Sequence, residues 1–288
     1  MRQKTKVKMI IALIPVFLLG LLAVSYPLIA SWMAERNHSG VITDYQQSVE
    51  VKDDRELEEV RAAARAYNDR LFAGEFSHLE YEENGYFDLL DLNGSGIMCR
   101  IEIPKIGVDL PVYHSVEESA LAKGAGHMPQ SSLPVGGVNS HAVISAHTGM
   151  ASSPLFTDLE LLEEGDIFYI TVLGERMAYE VDQIRTVLPY QVDDIQLARG
   201  EDLVTLVTCT PYGINTHRLL VRGHRVDIPD PDIDPDPEAE KILPSESDSP
   251  QSRWAALYLQ GILNGLGLAV ILTLFFIIIL TIRNRRKE

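Results

Sequence analysis

The stretch Thr205-Leu206-Val207-Thr208-Cys209-Thr210-Pro211-Tyr212-Gly213-Ile214-Asn215-Thr216-His217-Arg218 reads as two strands around a tight turn. β-Branched and apolar residues run up to Cys209, the turn formers Pro211, Gly213 and Asn215 follow, and a second β-branched run from Thr216 to Val221 carries Arg218 near its start. Residues that face each other across an antiparallel pair lie roughly 5 Å apart. A thiol closing one strand and a guanidinium opening the next can therefore share one site.

Outward from this hairpin, the sequence from Ile97 onward consists of short apolar or alternating runs bounded by Gly, Pro and Asn. The expected strands are Ile97 to Ile103, Val108 to Tyr113, Ala142 to Ser145, Ile167 to Leu173, Met177 to Ile184, Leu203 to Cys209 and Thr216 to Val226. Leu155 to Leu162 reads as one or two helical turns, and Met128 to Ser140 as a Gly/Pro/Ser-rich connection. Strands at this spacing predict a mainly β fold, a single barrel or sandwich.

Upstream, Gln46 to Ala73 places Leu57, Val60, Ala64 and Leu71 at helical spacing and is expected to be one amphipathic helix ended by Gly74. Phe76 to Gly96 reads as a long connection of the kind that is usually functional or disordered. Residues 229–253 carry Asp-Pro repeats, Glu and Ser with almost nothing apolar, the composition of a stiff acidic stalk.

Two charge-free apolar runs, residues 9–32 and 257–282, each exceed the ~20 residues that cross a bilayer as a helix. The first follows Arg2, Lys4, Lys6 and Lys8, and the second precedes Arg283, Arg285, Arg286 and Lys287. By the positive-inside rule, residues 1–8 and 283–288 are expected in the cytoplasm and residues 33–256 outside the cell membrane. A cleaved signal peptide is the rival reading of the first run, disfavoured by its length. Acidic residues outnumber basic ones 41 to 25, with eight of the basic ones in the two cytoplasmic tails. So acidic an exterior argues against a nucleic-acid partner.

The two cysteines, Cys99 and Cys209, are expected to remain unpaired, because a domain with this much apolar sequence builds a core without a staple. No Cys/His spacing matches a zinc site, and no cofactor or metal is expected. An isolated thiol is a poor nucleophile at neutral pH and needs a base or a cation beside it. Of the eight histidines, His147 in Ser145-Ala146-His147-Thr148-Gly149 stands where a strand gives way to a glycine turn. His217, beside Arg218, is its rival, while His141 and His114 read as strand caps. A thiolate, an imidazole and a fixed positive donor are the groups that acyl transfer from an amide requires.

Thr205-Leu206-Val207-Thr208-Cys209 followed nine positions later by Arg218 resembles the signature of the sortases. The continuation to Gly223, Ile101-Glu102-Ile103-Pro104-Lys105-Ile106, and Ser145 to Gly149 with Leu155-Phe156-Thr157-Asp158-Leu159 resemble the class C, pilus-assembling branch. The likeness covers about residues 97–228. It implies a sortase-like β-barrel, preceded by a helical region and lid-like loop over 33–96. It also implies that Cys209 attacks the threonine carbonyl of an Leu-Pro-x-Thr-Gly-like signal, that His147 rather than His217 is the acid and base, and that Arg218 stabilises the oxyanion. A pilin lysine would then resolve the thioester. A housekeeping-type sortase acting on cell-wall precursor, a hydrolase and a non-catalytic scaffold are the competing expectations. One departure concerns the lid, for which the branch usually carries Asp-Pro-aromatic. That tripeptide does not occur between Leu71 and Gly96, where Glu75-Phe76 and Glu80-Tyr81 are the acid-aromatic pairs left as lid candidates.

Overall fold

The computed structural model describes residues 36–148, 155–191 and 193–228, with Ile29 and Met33. The apolar runs at 9–32 and 257–282, the tails beyond them and the stalk from 229 lie outside the described residues, apart from Ile29. Among the described residues no helix is long and apolar enough to cross a membrane.

Eight strands close a barrel in the order β1-β2-β3-β4-β7-β8-β6-β5. They are β1 (Ile97–Ile103), β2 (Val108–His114), β3 (Ala125–His127), β4 (Ser140–Ser145), β5 (Ile167–Val172), β6 (Glu175–Val187), β7 (Asp202–Thr210) and β8 (His217–Val226). Closure pairs every edge, which removes the exposed ladder that an open sheet would offer to other chains. All seven strands expected from the sequence form, with ends moved by up to three residues. The eighth, β3, was not expected; its three residues pair parallel with β2 and antiparallel with β4. Leu155 to Leu162 tightens into a single 3-10 turn at Leu159–Leu161.

The expected single amphipathic helix is two. Residues 36–50 are helical (α1) and α2 spans Asp54–Phe72. Asp53 separates them: its extended backbone and its carboxylate, which accepts from Glu56 N at 2.8 Å, start a new helix. An Asp in this position satisfies one of the orphan amides of a helix start, and Asp54 and Glu56 complement its dipole. Both helices are fastened to the barrel. Tyr45 of α1 donates to Met98 O at 3.1 Å and accepts from Leu173 N at 3.0 Å. Asn68 of α2 makes a two-way bond with Leu133, through Nδ2 to O at 3.0 Å and from N to Oδ1 at 2.7 Å.

The connection from Phe76 to Gly96 is folded rather than loose. Its short 3-10 turn at Tyr86–Asp88 drives Tyr86, fully buried, onto His127, where the phenol and Nδ1 lie 2.8 Å apart. The His127 Nε2 then reaches Ser132 O at 2.7 Å. Both ring nitrogens are thereby matched with the ring neutral, and burial pushes its pKa down to about 3. A buried polar group costs little only when it is paired in this way.

Candidate active site

Strand parity determines which residues share the site. Ala142 and Ile144 of β4, Val204 and Leu206 of β7, and Leu219 and Val221 of β8 enter the main core. The residues between them, Val143, Val207 and Leu220, form a separate apolar cluster with Met128, Val187 and Ile195. Since successive side chains of a strand alternate faces, Cys209 continues the Val207 set and Arg218 the Leu220 set. Register makes the pair exact: Cys209 is the partner of Arg218 across β7 and β8. The turn between them requires left-handed backbone at Gly213 (φ 72°) and Asn215 (φ 60°), and amides of Ile214 and Asn215 close it onto Pro211 O.

The third residue arrives on a neighbouring strand. β4 runs parallel to β7, with Ser145 opposite Val207. Two residues beyond that pair, both chains reach the same end of the barrel, His147 on one and Cys209 on the other. Ala146 N donates to Val207 O at 3.1 Å and Thr208 Oγ1 to Ala146 O at 2.9 Å, so the pairing continues past the strand's end. Phe156 N donates to His147 O at 3.1 Å and fixes the histidine backbone from the other side. The His147 Nε2 lies 3.4 Å from Glu118 Oε2, and its side chain retains 28% exposure. Cys209 is half-buried and unpaired. Arg218 donates through Nη1 to His217 O at 3.0 Å and to Asn215 O at 3.4 Å. No carboxylate is paired with it among the described residues, and most of its five donors are left for another partner.

The other histidines are engaged elsewhere. His217 contacts Thr216 Oγ1 at 2.9 Å, one position out of phase with Arg218 and so on the opposite face. His114 binds Leu89 O at 2.7 Å and Gly96 O at 3.0 Å. His141 is buried between Gln196 O at 2.8 Å and Thr205 Oγ1 at 2.7 Å. Cys99 is fully buried on β1, and desolvation pushes its thiol pKa far upward. It is unpaired, as is Cys209.

A cavity of about 630 Å³ opens on the face that carries Val143. Residues 195–197 of the β6–β7 connection line it from one segment and Gly74 with residues 76–79 from another, together with Met128 and Ser131. The lid candidates stand at or near this second segment. Phe76 lines the cavity, is 8% exposed, and packs on Tyr67 with ring centroids 5.1 Å apart and on the Arg70 guanidinium at 5.1 Å. Glu75 meets Arg70 at 3.3 Å, and Glu80 accepts from Ser77 N at 2.8 Å. Tyr81 makes an edge contact with Tyr86. Nothing in the local pattern marks Glu118 or the wall at 195–197: Glu118 sits in an ordinary polar run, and both depend on how long connections return to the barrel. No group of three or more His, Cys, Asp or Glu fit for a metal occurs among the described residues.

A closed eight-stranded barrel thus sets a cysteine and an arginine in register and a histidine just past the end of the adjacent parallel strand, the kinds of group that acyl transfer through a thiol uses. Residues 101–226 match the sortase domain. The chain is 43% identical to the crystal structure of sortase C1 from Streptococcus agalactiae, covering 66% of this chain and 99% of that one with a TM-score of 0.62. It is 40% identical to Clostridium perfringens sortase C solved with the C-terminal cell wall sorting motif, covering 66% of this chain and all of that one at a TM-score of 0.59. A Streptococcus agalactiae sortase A is 34% identical over 127 residues, and there the match spans only half of the relative's length. The chain belongs to the sortases, a family of cysteine transpeptidases, and within it to class C.

Proposed function

We propose that this chain is a membrane-anchored pilin polymerase that cleaves an Leu-Pro-x-Thr-Gly-like sorting signal after threonine and joins the acyl group to a pilin lysine. The register pair Cys209 and Arg218 beside His147, on a face that continues into an apolar cavity, carries this reading. The Cys209 thiolate adds to the threonine carbonyl, and the oxyanion that forms lies within reach of the free Arg218 donors. Collapse of the tetrahedral adduct breaks the Thr-Gly bond, with His147 giving its proton to the departing glycine amine. The resulting thioester is attacked by a lysine amine, His147 takes up a proton from that amine, and the thiol is released with an isopeptide bond made. The apolar cavity suits an aliphatic side chain of the signal.

The two apolar runs at 9–32 and 257–282 support anchoring at both ends with both termini cytoplasmic and the barrel outside. In this reading Gly74 and residues 76–79 act as a wall of the cleft, and Phe76 or Tyr81 limits access to it. Replacing Phe76 with alanine should then speed alkylation of Cys209, and an unchanged rate removes the lid role.

The test is incubation of the full chain in detergent with a sorting-signal peptide and a lysine-bearing pilin, followed by mass analysis. Covalent peptide-pilin adducts are expected. Cleaved peptide alone would make the chain a hydrolase, and transfer only to a cell-wall precursor amine would make it a housekeeping-type enzyme.

A further inference from the structure

The contact between Glu118 and His147 stands apart from the residues that acyl transfer needs, and the fold supplies it with some effort. Glu118 opens the one-turn helix α3 (Glu118–Leu121), which follows β2. Ala120 on the same turn is buried, and α3 is pressed onto β3 at Gly126. A Cβ on Gly126 would meet Ser115 O at 2.3 Å and Leu121 Cδ2 at 3.0 Å, so only glycine lets this segment lie so close. Gly126 pairs in turn with Ser145, two residues before His147. The segment carrying Glu118 is therefore seated on the same strand pair that delivers the histidine, and the 3.4 Å approach of Glu118 Oε2 to His147 Nε2 follows from backbone packing.

We propose that Glu118 is a positioning residue for His147: its carboxylate holds the imidazole by Nε2 and leaves Nδ1 to exchange protons with the thiol and the amine. This rests on the transpeptidase reading of Cys209 and His147. At 3.4 Å the contact is longer than a typical hydrogen bond and is an ion pair only when the ring carries a second proton; catalytic contacts are often this long before substrate binds. Charged and titratable side chains at this end of the barrel include Glu117, the residue that caps α3, and Glu118 within it, Cys209 on β7, His217 and Arg218 on β8, and Asp158 in the segment that holds the His147 carbonyl. Among these, Glu118 is the carboxylate in contact with the ring. With its side chain 81% exposed, the pair is open to salt, and its effect is that of an exposed ion pair rather than of a buried triad.

The experiment is a double-mutant cycle on the full chain in detergent, reading the rate of Cys209 alkylation by a neutral haloacetamide, with Cys99 replaced by alanine throughout. Glu118→Gln is expected to slow alkylation about two- to fivefold at low ionic strength. The deficit should shrink as salt is raised to about 1 M and vanish in a His147→Gln background. Glu118→Asp should recover part of the rate. Alkylation of Glu118→Gln at the parental rate, while His147→Gln is slow, would overturn the role of Glu118 and leave the transpeptidase reading standing. A Glu118→Gln deficit that persists at high salt and without His147 would also overturn it, since that effect would be structural. If His147→Gln itself alkylates at the parental rate, the thiol-imidazole pairing fails and takes this inference with it.

Discussion

His141 near the start of β4 and His147 just past its end lie on the same outer face of the barrel and are held in opposite ways. His141 is 1% exposed, with Nδ1 on Gln196 O and Nε2 on Thr205 Oγ1. Burial depresses its pKa, and with both nitrogens committed it works as a neutral rivet between β4 and the β6–β7 connection. His147, one residue past the pairing of Ala146, keeps a solvent-facing side chain and contacts only a surface carboxylate through Nε2 among its described polar contacts. A ring whose nitrogens are both spent on fixed partners cannot carry a proton between reactants; a ring with one nitrogen free can. Six positions along the chain thus separate a ring committed on both nitrogens from one with a nitrogen to spare. The cysteines repeat the contrast, Cys99 sealed in the core and Cys209 at a strand end facing Arg218.

The largest effect expected breaks the cysteine half of this contrast. Cys209→Ala should abolish both thioester formation and peptide-pilin product, because no other thiol reaches the face. Cys99→Ala should lose on the order of 1 kcal/mol of stability from the small core void and retain turnover. Mass spectrometry of trapped acyl-enzyme separates the two. A Cys99→Ala chain that is folded yet inactive would mean that the single-nucleophile account is wrong.

Replacing the two histidines in turn sharpens the first contrast. His147→Ala should lower kcat by about 10²- to 10⁴-fold, the usual worth of a general acid and base, with little change in KM. His141→Ala should do the reverse. Without its bond to Gln196 O the wall at 195–197 is untethered, so KM for a sorting-signal peptide rises while kcat stays within a few fold. Steady-state kinetics on both variants decide it, and equal losses in kcat would erase the distinction between them.

Arg218→Ala tests the fixed donor of the same face. Loss of one oxyanion donor typically costs about 10²- to 10³-fold in kcat. Arg218→Lys should recover only part of it, because a point charge cannot keep the backbone contacts to Asn215 O and His217 O while also reaching the substrate. Single-turnover acylation rates report this step without the lysine acceptor.

Much of this face could be read from the sequence because strand alternation and hairpin register are local. Cys209, Arg218 and the seven longer strands announce themselves by β-branched runs and turn residues. The strand β3 did not, since Ala-Gly-His has no strand signature and Gly126 is there to admit Ser115 at close range. The break at Asp53 was hidden by helical spacing on both sides of it, although an Asp before an acidic first turn is a helix start. Phe76, a lid candidate beside an acid in the sequence, is largely buried and packs against Tyr67. That contact, like the approach of Glu118 to His147 and the wall at 195–197, joins segments far apart in the chain, and no local pattern encodes it.

His127 supplies the smallest effect and the one that probes the interior side of the contrast. Fully buried and neutral, with Nδ1 on the Tyr86 phenol and Nε2 on Ser132 O, it takes up a proton only near pH 3, against about 6.5 when the chain is unfolded. Between those values the unfolded chain binds more protons than the folded one, so stability is complete above pH 6.5 and falls as the pH drops toward 3. From pH 6.5 to pH 5 this amounts to about 2 kcal/mol. His141, also depressed by burial, pulls the same way, whereas the buried carboxyl of Asp202, whose pKa is raised, opposes both. Comparing the native chain with His127→Gln isolates the one residue: the variant should be less stable at pH 7.5 but lose about 2 kcal/mol less on going to pH 5. Urea titrations at the two pH values give both differences. Parallel acid losses in the two chains would show that His127 is not the buried neutral group its hydrogen bonds describe.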